Sequence, residues 1–475
     1  MTNQPGIQRI TIEGLHEQFD VDVTLNPRLN IIYGKNGRGK TTLLHVIVNA
    51  LEFDFARFSS LSFIRIKIRA FNGNELEITK GENGKAIVRI NGELASLNYE
   101  IPGLFATNEI ALLRDSLGAR PVYLPAFRSV LERVRSDFTP YRDPTRDAEI
   151  DAFAQNEVNK LREVGDDLAL RDGMDLRALR EEAQQTARKT LQCRQWFGAF
   201  VPVIRYPSIL EVDDGLSNEW RSAQLKLAQR EQSMFAETFS KVFRTVVGLE
   251  TNDASTESEE SLLSSISKFL SETDSLSGVH GPSSIYAQLR EATEFLKQKN
   301  ERGSNEIARS VLHLYMETLS DRKDTRTVAF QNSRDFENSI NKFLDKKKLK
   351  IGSEIRARGR SFVNVGTDGG RSYGLGALSS GEKQVLTMLY SATRSKFRGG
   401  IFLIDEPELS LHVDWQRKIL AELMTQAPHS QIIACTHSPE VGADHIIQTQ
   451  DFEPVPTLFN QSTTGLFDDL DHLGE

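Results

Sequence analysis

The run Gly34-Lys35-Asn36-Gly37-Arg38-Gly39-Lys40-Thr41 constrains this chain more than any other stretch. It fits the pattern G-x-x-x-x-G-K-[ST], whose glycines let backbone N–H groups turn inward around a phosphate. The apolar β-former run Leu29 to Tyr33 precedes it, and Thr42 to Leu51 reads as a helix behind it. That context matters because a helix N-terminus adds its dipole and free N–H groups to an anion site. Lys40 is placed to reach the β- and γ-phosphates and the Thr41 hydroxyl to ligate Mg²⁺. Gly34, Asn36, Gly37, Gly39 and Thr42 complete the cradle. Strand, glycine loop and helix in that order predict an α/β chain built around a nucleotide site.

A second set of motifs lies near the other end. Ile401 to Ile404 is apolar throughout, as expected of a parallel strand buried on both faces, and it ends in Asp405-Glu406. Asp405 is a candidate Mg²⁺ ligand, and Glu406 a candidate to orient and polarise an attacking water. Isolated hydrophobe-Asp-Glu runs are common, so the upstream phosphate loop gives this pair its meaning. Another apolar strand, Gln431 to Cys435, leads into Thr436-His437-Ser438. Between the loop and the acids, Leu378-Ser379-Ser380-Gly381-Glu382 opens a helix from Glu382 to Thr393, which makes a second anion site.

Leu378 to Glu382 resembles the signature motif of ABC ATPases. Asp405-Glu406-Pro407-Glu408-Leu409-Ser410-Leu411-His412, followed by Trp415-Gln416, is similar to the run found in OLD-like and RecF-like members. Cys435-Thr436-His437-Ser438-Pro439, and Leu124-Pro125 with Arg128, fit the same group. The resemblance covers both chain ends, while the middle matches by position and helicity alone. It implies a P-loop head of ABC type, a mixed sheet formed from both ends, and Mg²⁺-dependent ATP hydrolysis. It also implies that Ser379, Ser380, Gly381 and Glu382 act in trans, on ATP held by the opposite subunit of a head-to-head dimer. His437 takes the place of a switch histidine that contacts the γ-phosphate. Two departures stand out: Glu382 replaces the usual glutamine of the signature, and no clean equivalent of the nucleotide-sensing glutamine follows Leu124, which leaves Arg128 as a candidate sensor.

The organisation follows the motifs. Residues 1–145 carry the phosphate loop and antiparallel strands such as Phe63 to Phe71, Glu75 to Thr79 and Ala86 to Ile90. Residues 146–350 turn helical, with runs at Ala152 to Val164, Leu176 to Gln195, Trp220 to Val247, Leu262 to Leu270, Ser284 to Lys299 and Asn305 to Leu319. Thr251 to Ser261 reads as an exposed loop. Pro202, Pro207 and Gly281-Pro282 interrupt this insertion, which predicts a compact helical domain or short hairpin and not a long coiled-coil arm. Residues 351–475 return to strands at Ile351 to Val365 and carry the signature, the acids and the histidine.

Composition narrows the classes. The net charge of −8 gives no overall reason to coat nucleic acid, although local patches could. There is no apolar run long enough for a membrane, no signal-like start, and two cysteines are too few for a disulfide framework, so a cytoplasmic protein is expected. Lys346, Lys347, Lys348 and Lys350, with Arg356, Arg358 and Arg360 on alternating positions, would make one strand face cationic. Such a stripe serves a nucleic acid or an acidic trigger protein, or is simply solvated. In the segment from Asp451, Leu466, Phe467, Leu470 and Leu473 share one helical face, either as a partner-docking helix or as packing on the chain's own domain.

Many OLD-like relatives serve bacterial anti-phage systems, where they pair with a nuclease, either fused as a TOPRIM domain or separate. About forty residues follow His437, against on the order of a hundred for a TOPRIM domain. The expectation is an ATPase without a nuclease of its own, most similar to the ATPase subunits of PARIS-type systems, with Septu and retron-associated ATPases close to it. It would hold and release a separate effector nuclease or toxin on sensing a phage-encoded trigger. The alternative is a RecF- or SMC-like repair or recombination ATPase that binds DNA directly. A membrane-transporter subunit fits less well, because nothing there requires a long helical insertion.

Overall fold

The computed structural model describes residues 5–81, 83–95, 107–128, 144–163, 176–246, 264–266, 306–352, 362–395 and 400–457. By contacts the chain forms two units, one of Met1–Val212 with Leu378–Glu475 and one of Asp213–Ala377.

In the first unit both chain ends share one parallel sheet. Its order is Thr449–Asp451, Leu29–Tyr33, Gln431–Thr436, Gly400–Asp405, Ala119–Leu124. Every neighbouring pair is parallel, with Ile31 opposite Ala434 and Leu403 opposite Ile433. Gly400–Asp405 and Gln431–Thr436 are buried at every position, which explains the apolar runs 401–404 and 432–435 at their centres. The phosphate-loop helix Lys40–Leu51 packs on the three strands Ala119–Leu124, Gly400–Asp405 and Gln431–Thr436, and the signature helix Ser380–Ser395 on the first two. All the nucleotide-facing motifs therefore leave this sheet at strand ends or helix starts.

A second, antiparallel sheet runs Val455–Pro456, Phe19–Thr24, Ile7–Leu15, Arg65–Ala70, Glu75–Lys80, Ala86–Ile90, Glu93–Leu94. Here apolar residues alternate: Ile66, Ile68, Leu76, Ile78 and Val88 are buried. On the opposite face Arg65 pairs with Glu77 at 3.3 Å and Lys67 with Glu75 at 3.1 Å. The sheet is thus covered on one side and wet on the other.

Helices Pro144–Glu163 and Leu176–Phe197 belong to this first unit, although the sequence reading assigned them to the insertion. They bury Ile150, Ala154, Val158, Leu179, Ala183 and Ala187 between them. Ion pairs fasten them to the end of the phosphate-loop helix: Arg194 meets Asp54 at 3.1 Å, and Arg205 bridges Glu52 at 2.5 Å and Glu157 at 2.6 Å. Buried charges need such partners, and the pairing links segments far apart in sequence. The boundaries read from composition, 145/146 and 350/351, therefore differ from those set by contacts, 212/213 and 377/378.

In the second unit, Ile209–Val246 continues past Asp213 and runs antiparallel to Glu306–Asn341. Trp220 stacks on Phe330 with centroids 4.1 Å apart, Arg322 meets Glu231 at 2.6 Å, and Thr238 meets Thr318 at 2.9 Å. These helices are 38 and 36 residues long, on the order of 55 Å each at 1.5 Å per residue. A small sheet, Lys347–Ile351, Val363–Thr367 and Ser372–Tyr373, belongs to the same unit.

Lys347–Ile351 corrects the cationic stripe. Leu349 and Ile351 are buried, Lys347 shares their side, and Lys346 lies before the strand at φ 54°. Among the described residues only Lys348 and Lys350 share the exposed face, because a strand's side chains alternate. Arg356, Arg358 and Arg360 lie outside the described residues. So do the Thr251 to Ser261 loop, the run Ser284 to Lys299, most of Leu262 to Leu270, and the tail with Leu466, Phe467, Leu470 and Leu473.

Candidate nucleotide site

The phosphate loop joins Leu29–Tyr33 to the helix Lys40–Leu51. Gly37 and Gly39 hold φ of 78° and 93°, a left-handed backbone that side chains rarely adopt, so glycine is required at these two turns. Gly39 is the helix N-cap. Lys40 is 5% exposed, and its ammonium donates to the carbonyls of Gly34 at 2.7 Å and Lys35 at 3.1 Å. The same nitrogen lies 3.9 Å from Glu406 Oε1. The cleft at this loop has a volume of about 270 Å³ and is lined by His16, Phe19, Asn36, Gly37, Gly39, Lys40, Thr41, Thr42 and Glu406.

The acid strand delivers Asp405 beneath the loop. Its carboxylate is fully buried; Oδ2 accepts the Thr41 hydroxyl at 2.8 Å, while Oδ1 has no hydrogen-bond partner. Burial pushes the Asp405 carboxyl up to about 6, against the Thr41 hydrogen bond and the nearby charges of Arg128 and Lys40. An orphaned buried carboxylate oxygen beside a hydroxyl is a hard-oxygen donor set, which fits Mg²⁺. Thr41 and Asp405 are the residues that would hold it.

Glu406 follows in a left-handed conformation, φ 50°. Burial, then the adjacent Glu408 carboxylate, push its carboxyl up to about 7, and the Glu406–His437 hydrogen bond opposes them. Glu406, Glu408 and His437 form one acid–imidazole cluster, with an oxygen or nitrogen of each within 4.8 Å of the others. A raised, half-buried carboxyl beside an imidazole suits proton transfer near neutral pH.

Arg128, the candidate sensor, is not among the residues lining the cleft. It is fully buried, and its Nη1 and Nη2 donate at 2.7 Å to the main-chain carbonyls of Asp405 and Glu406. Arg128 thus holds the backbone that presents the two acids.

The signature residues lie at the start of the helix Ser380–Ser395 and are not among those lining the cleft. Ser379 N–H donates to Glu382 Oε2 at 2.6 Å, and Glu382 N–H reaches Ser379 Oγ at 3.4 Å. This reciprocal cap gives Glu382, in place of glutamine, a structural use. Ser379 and Ser380 are exposed, whereas Gly381 is buried, where a Cβ would lie 2.7 Å from the Ser410 carbonyl.

The sequence reading missed His16, Phe19 and Glu408. His16 stands at φ 54° in the turn of the first hairpin and lies 3.3 Å from the Thr42 hydroxyl. No local pattern marks His16 or Phe19, because sheet register brings them to the loop. Glu408 had a signal, the second acid of Asp405-Glu406-Pro407-Glu408.

Comparison with known proteins agrees with this geometry. A family model described as "AAA domain" matches residues 9–197. Another, described as "AAA domain, putative AbiEii toxin, Type IV TA system", matches residues 249–444. The fold is of the P-loop ATPase class, and each model matches about two fifths of the chain. It is 24% identical over 174 residues to the DNA replication and repair protein RecF of Pseudomonas syringae pv. tomato, covering 31% of this chain and 47% of that one. It is 25% identical over 201 residues to RecF of Pseudomonas putida, covering 33% and 55%. The chain thus spans about half the length of these curated relatives. Among solved structures, the Smc head domain bound to the C-terminal domain of ScpA from Pyrococcus furiosus aligns over 98% of this chain and 99% of that one, at 14% identity and TM-score 0.40. The recombination mediator protein RecF-ATPrS aligns over 92% and 95%, at 15% identity and TM-score 0.33. No helix among the described residues is long and apolar enough to cross a membrane.

Proposed function

We propose that this chain hydrolyses ATP with Mg²⁺ and uses its nucleotide state to hold and release a separately encoded effector nuclease or toxin in anti-phage defence. The observation that carries the hydrolytic part is Asp405-Glu406 set under the phosphate loop, with Asp405 on the Thr41 hydroxyl at 2.8 Å and Glu406 on His437. Mg²⁺, when bound, would neutralise phosphate charge. Lys40 exchanges its loop carbonyls for β- and γ-phosphate oxygens, and Glu406 orients the attacking water and takes its proton. His437, bonded to Glu406, would contact the γ-phosphate. Ser379, Ser380 and Gly381 lie outside the cleft of their own head, which supports their use in trans in a head-to-head homodimer.

The effector reading is supported by the toxin and toxin–antitoxin wording of the family matched over residues 249–444, and by the resemblance to PARIS-type ATPase subunits. The exposed pair Lys348 and Lys350 is a site for an acidic trigger protein. The second reading, a RecF-like ATPase acting on DNA, is supported by the 24–25% identity to RecF. Affinity purification of the Glu406→Gln chain with ATP, expressed from its own gene neighbourhood, separates them. A stoichiometric nuclease-like partner supports effector control. DNA recovered without a protein partner, lost steeply with salt, supports the RecF-like reading and sinks the first.

A further inference from the structure

Glu408 is 6% exposed, yet its carboxylate belongs to no ion pair with a lysine or arginine among the described residues. Its Oε1 instead gathers donors from a single segment. It accepts the Thr436 hydroxyl at 2.5 Å and the main-chain N–H groups of His437 and Ser438, each at 3.0 Å. His437 Nδ1 lies 3.2 Å from the same oxygen. An uncompensated buried carboxylate is costly, so these donors are what keep it there. Conversely, both N–H groups of the turn after the strand Gln431–Thr436 donate to this one side chain, that of Ser438 being shared with the Thr436 hydroxyl at 3.0 Å.

The other end of the arrangement reaches the signature. Leu409 N–H bonds to Glu406 O at 3.3 Å and Leu411 N–H to Glu408 O at 3.0 Å, which closes a tight double turn with Ser410 at φ 60°. The Ser410 carbonyl lies 2.7 Å from the place a Cβ on Gly381 would take, and Trp415 packs 3.4 Å from it. On the far side Ser438 Oγ bonds to Gln416 Oε1 at 2.7 Å. Acid strand, histidine turn and signature helix therefore meet on residues 408–416.

We propose that Glu408 is a positioning residue for hydrolysis, an anionic clamp that fixes the His437 turn against Glu406 and seats both on the turn supporting Gly381. The proposal rests on the ATPase reading above. Its consequence is specific at a pH well above 7, where the direct effect of Glu408 on the Glu406 proton no longer matters: there Glu408 acts through His437, and the two residues share one effect.

The test is a double-mutant cycle on the full chain at that pH, with steady-state hydrolysis and separate nucleotide titration. Glu408→Gln keeps shape and one acceptor but removes the charge. The expected result is a fall in kcat of roughly 10- to 100-fold with ATP affinity within about twofold of wild type. In a His437→Ala background the same substitution should cost almost nothing further. Thr436→Val, which deletes one donor without touching an acid, should move kcat in the same direction by less. Additive losses in the cycle, or a Glu408→Gln chain with wild-type kcat, overturn the proposal. A wild-type chain that binds but never hydrolyses ATP overturns the underlying ATPase reading instead.

Discussion

Arg128 grips Glu406 by its main chain and not by its carboxylate: Nη2 donates to the Glu406 carbonyl at 2.7 Å, while Nη1 does the same for Asp405. The left-handed turn at Glu406, φ 50°, points the acid toward the cleft, and the guanidinium holds that turn from behind. Arg128→Leu would strip the guanidinium donors from the Asp405, Glu406 and Pro125 carbonyls, leaving Glu406 the longer 3.3 Å bond from Leu409 N–H. We expect a stability loss of about 2–5 kcal/mol in urea titrations together with impaired hydrolysis. A variant with wild-type stability and hydrolysis would show that the turn holds itself.

Lys40→Ala removes the cation that the loop offers to phosphate. Titration with a fluorescent ATP analogue should show binding lost or weakened by orders of magnitude, with the melting temperature of the ligand-free chain nearly unchanged. In the ligand-free chain Lys40 meets two loop carbonyls at 2.7 Å and 3.1 Å and Glu406 at 3.9 Å, all within the site, so its contribution to the fold is small.

Glu406→Gln should keep ATP bound while kcat falls by roughly 10²- to 10⁴-fold, because the lost interaction belongs to the transition state. The wild-type rate should climb as pH rises through about 7, since burial and Glu408 keep the Glu406 proton on below that point. A base works deprotonated, so activity is lost on the acid side. In the glutamine variant this limb should vanish. An unchanged limb would assign the base elsewhere.

His45 contributes a pH dependence of stability unrelated to catalysis. It is buried at the back of the phosphate-loop helix, 2.9 Å from the Tyr123 hydroxyl, and burial lowers its pKa from 6.5 to about 4. The unfolded chain therefore binds the extra proton first. The folded state is fully favoured above pH 6.5 and loses about 3 kcal/mol as pH falls toward 4. His45→Asn should flatten that part of the stability profile in urea melts across this range.

Phe19→Ala should raise the KM for ATP by roughly tenfold with little change in kcat, because Phe19 lines the cleft with an apolar ring that carries no group for the chemistry. Equal losses in kcat would place the ring at the chemistry.

The sequence by itself determined the parts whose physics is local. A glycine loop between a strand and a helix makes a phosphate cradle wherever it folds, because φ of 78° and 93° at Gly37 and Gly39 admits little else. Strands buried on both faces have to be apolar throughout, so Gly400–Asp405 and Gln431–Thr436 announced themselves, as did the acids and histidine at their ends. Alternation in Arg65–Ala70 and Glu75–Lys80 marked the one-faced sheet in the same way.

Only the tertiary structure decided what depends on register and long-range contact. Arg128 became a backbone clamp because Ala119–Leu124 lies beside the acid strand, a pairing across some 280 residues that no local pattern encodes. His16 and Phe19 reached the cleft through hairpin geometry, and Glu408 through the turn that lets one carboxylate gather a whole loop. The helices Pro144–Glu163 and Leu176–Phe197 are tied to the phosphate-loop helix by Arg194 on Asp54 and by Arg205, which bridges Glu157 to Glu52, and helical periodicity says nothing about which surface a helix will meet.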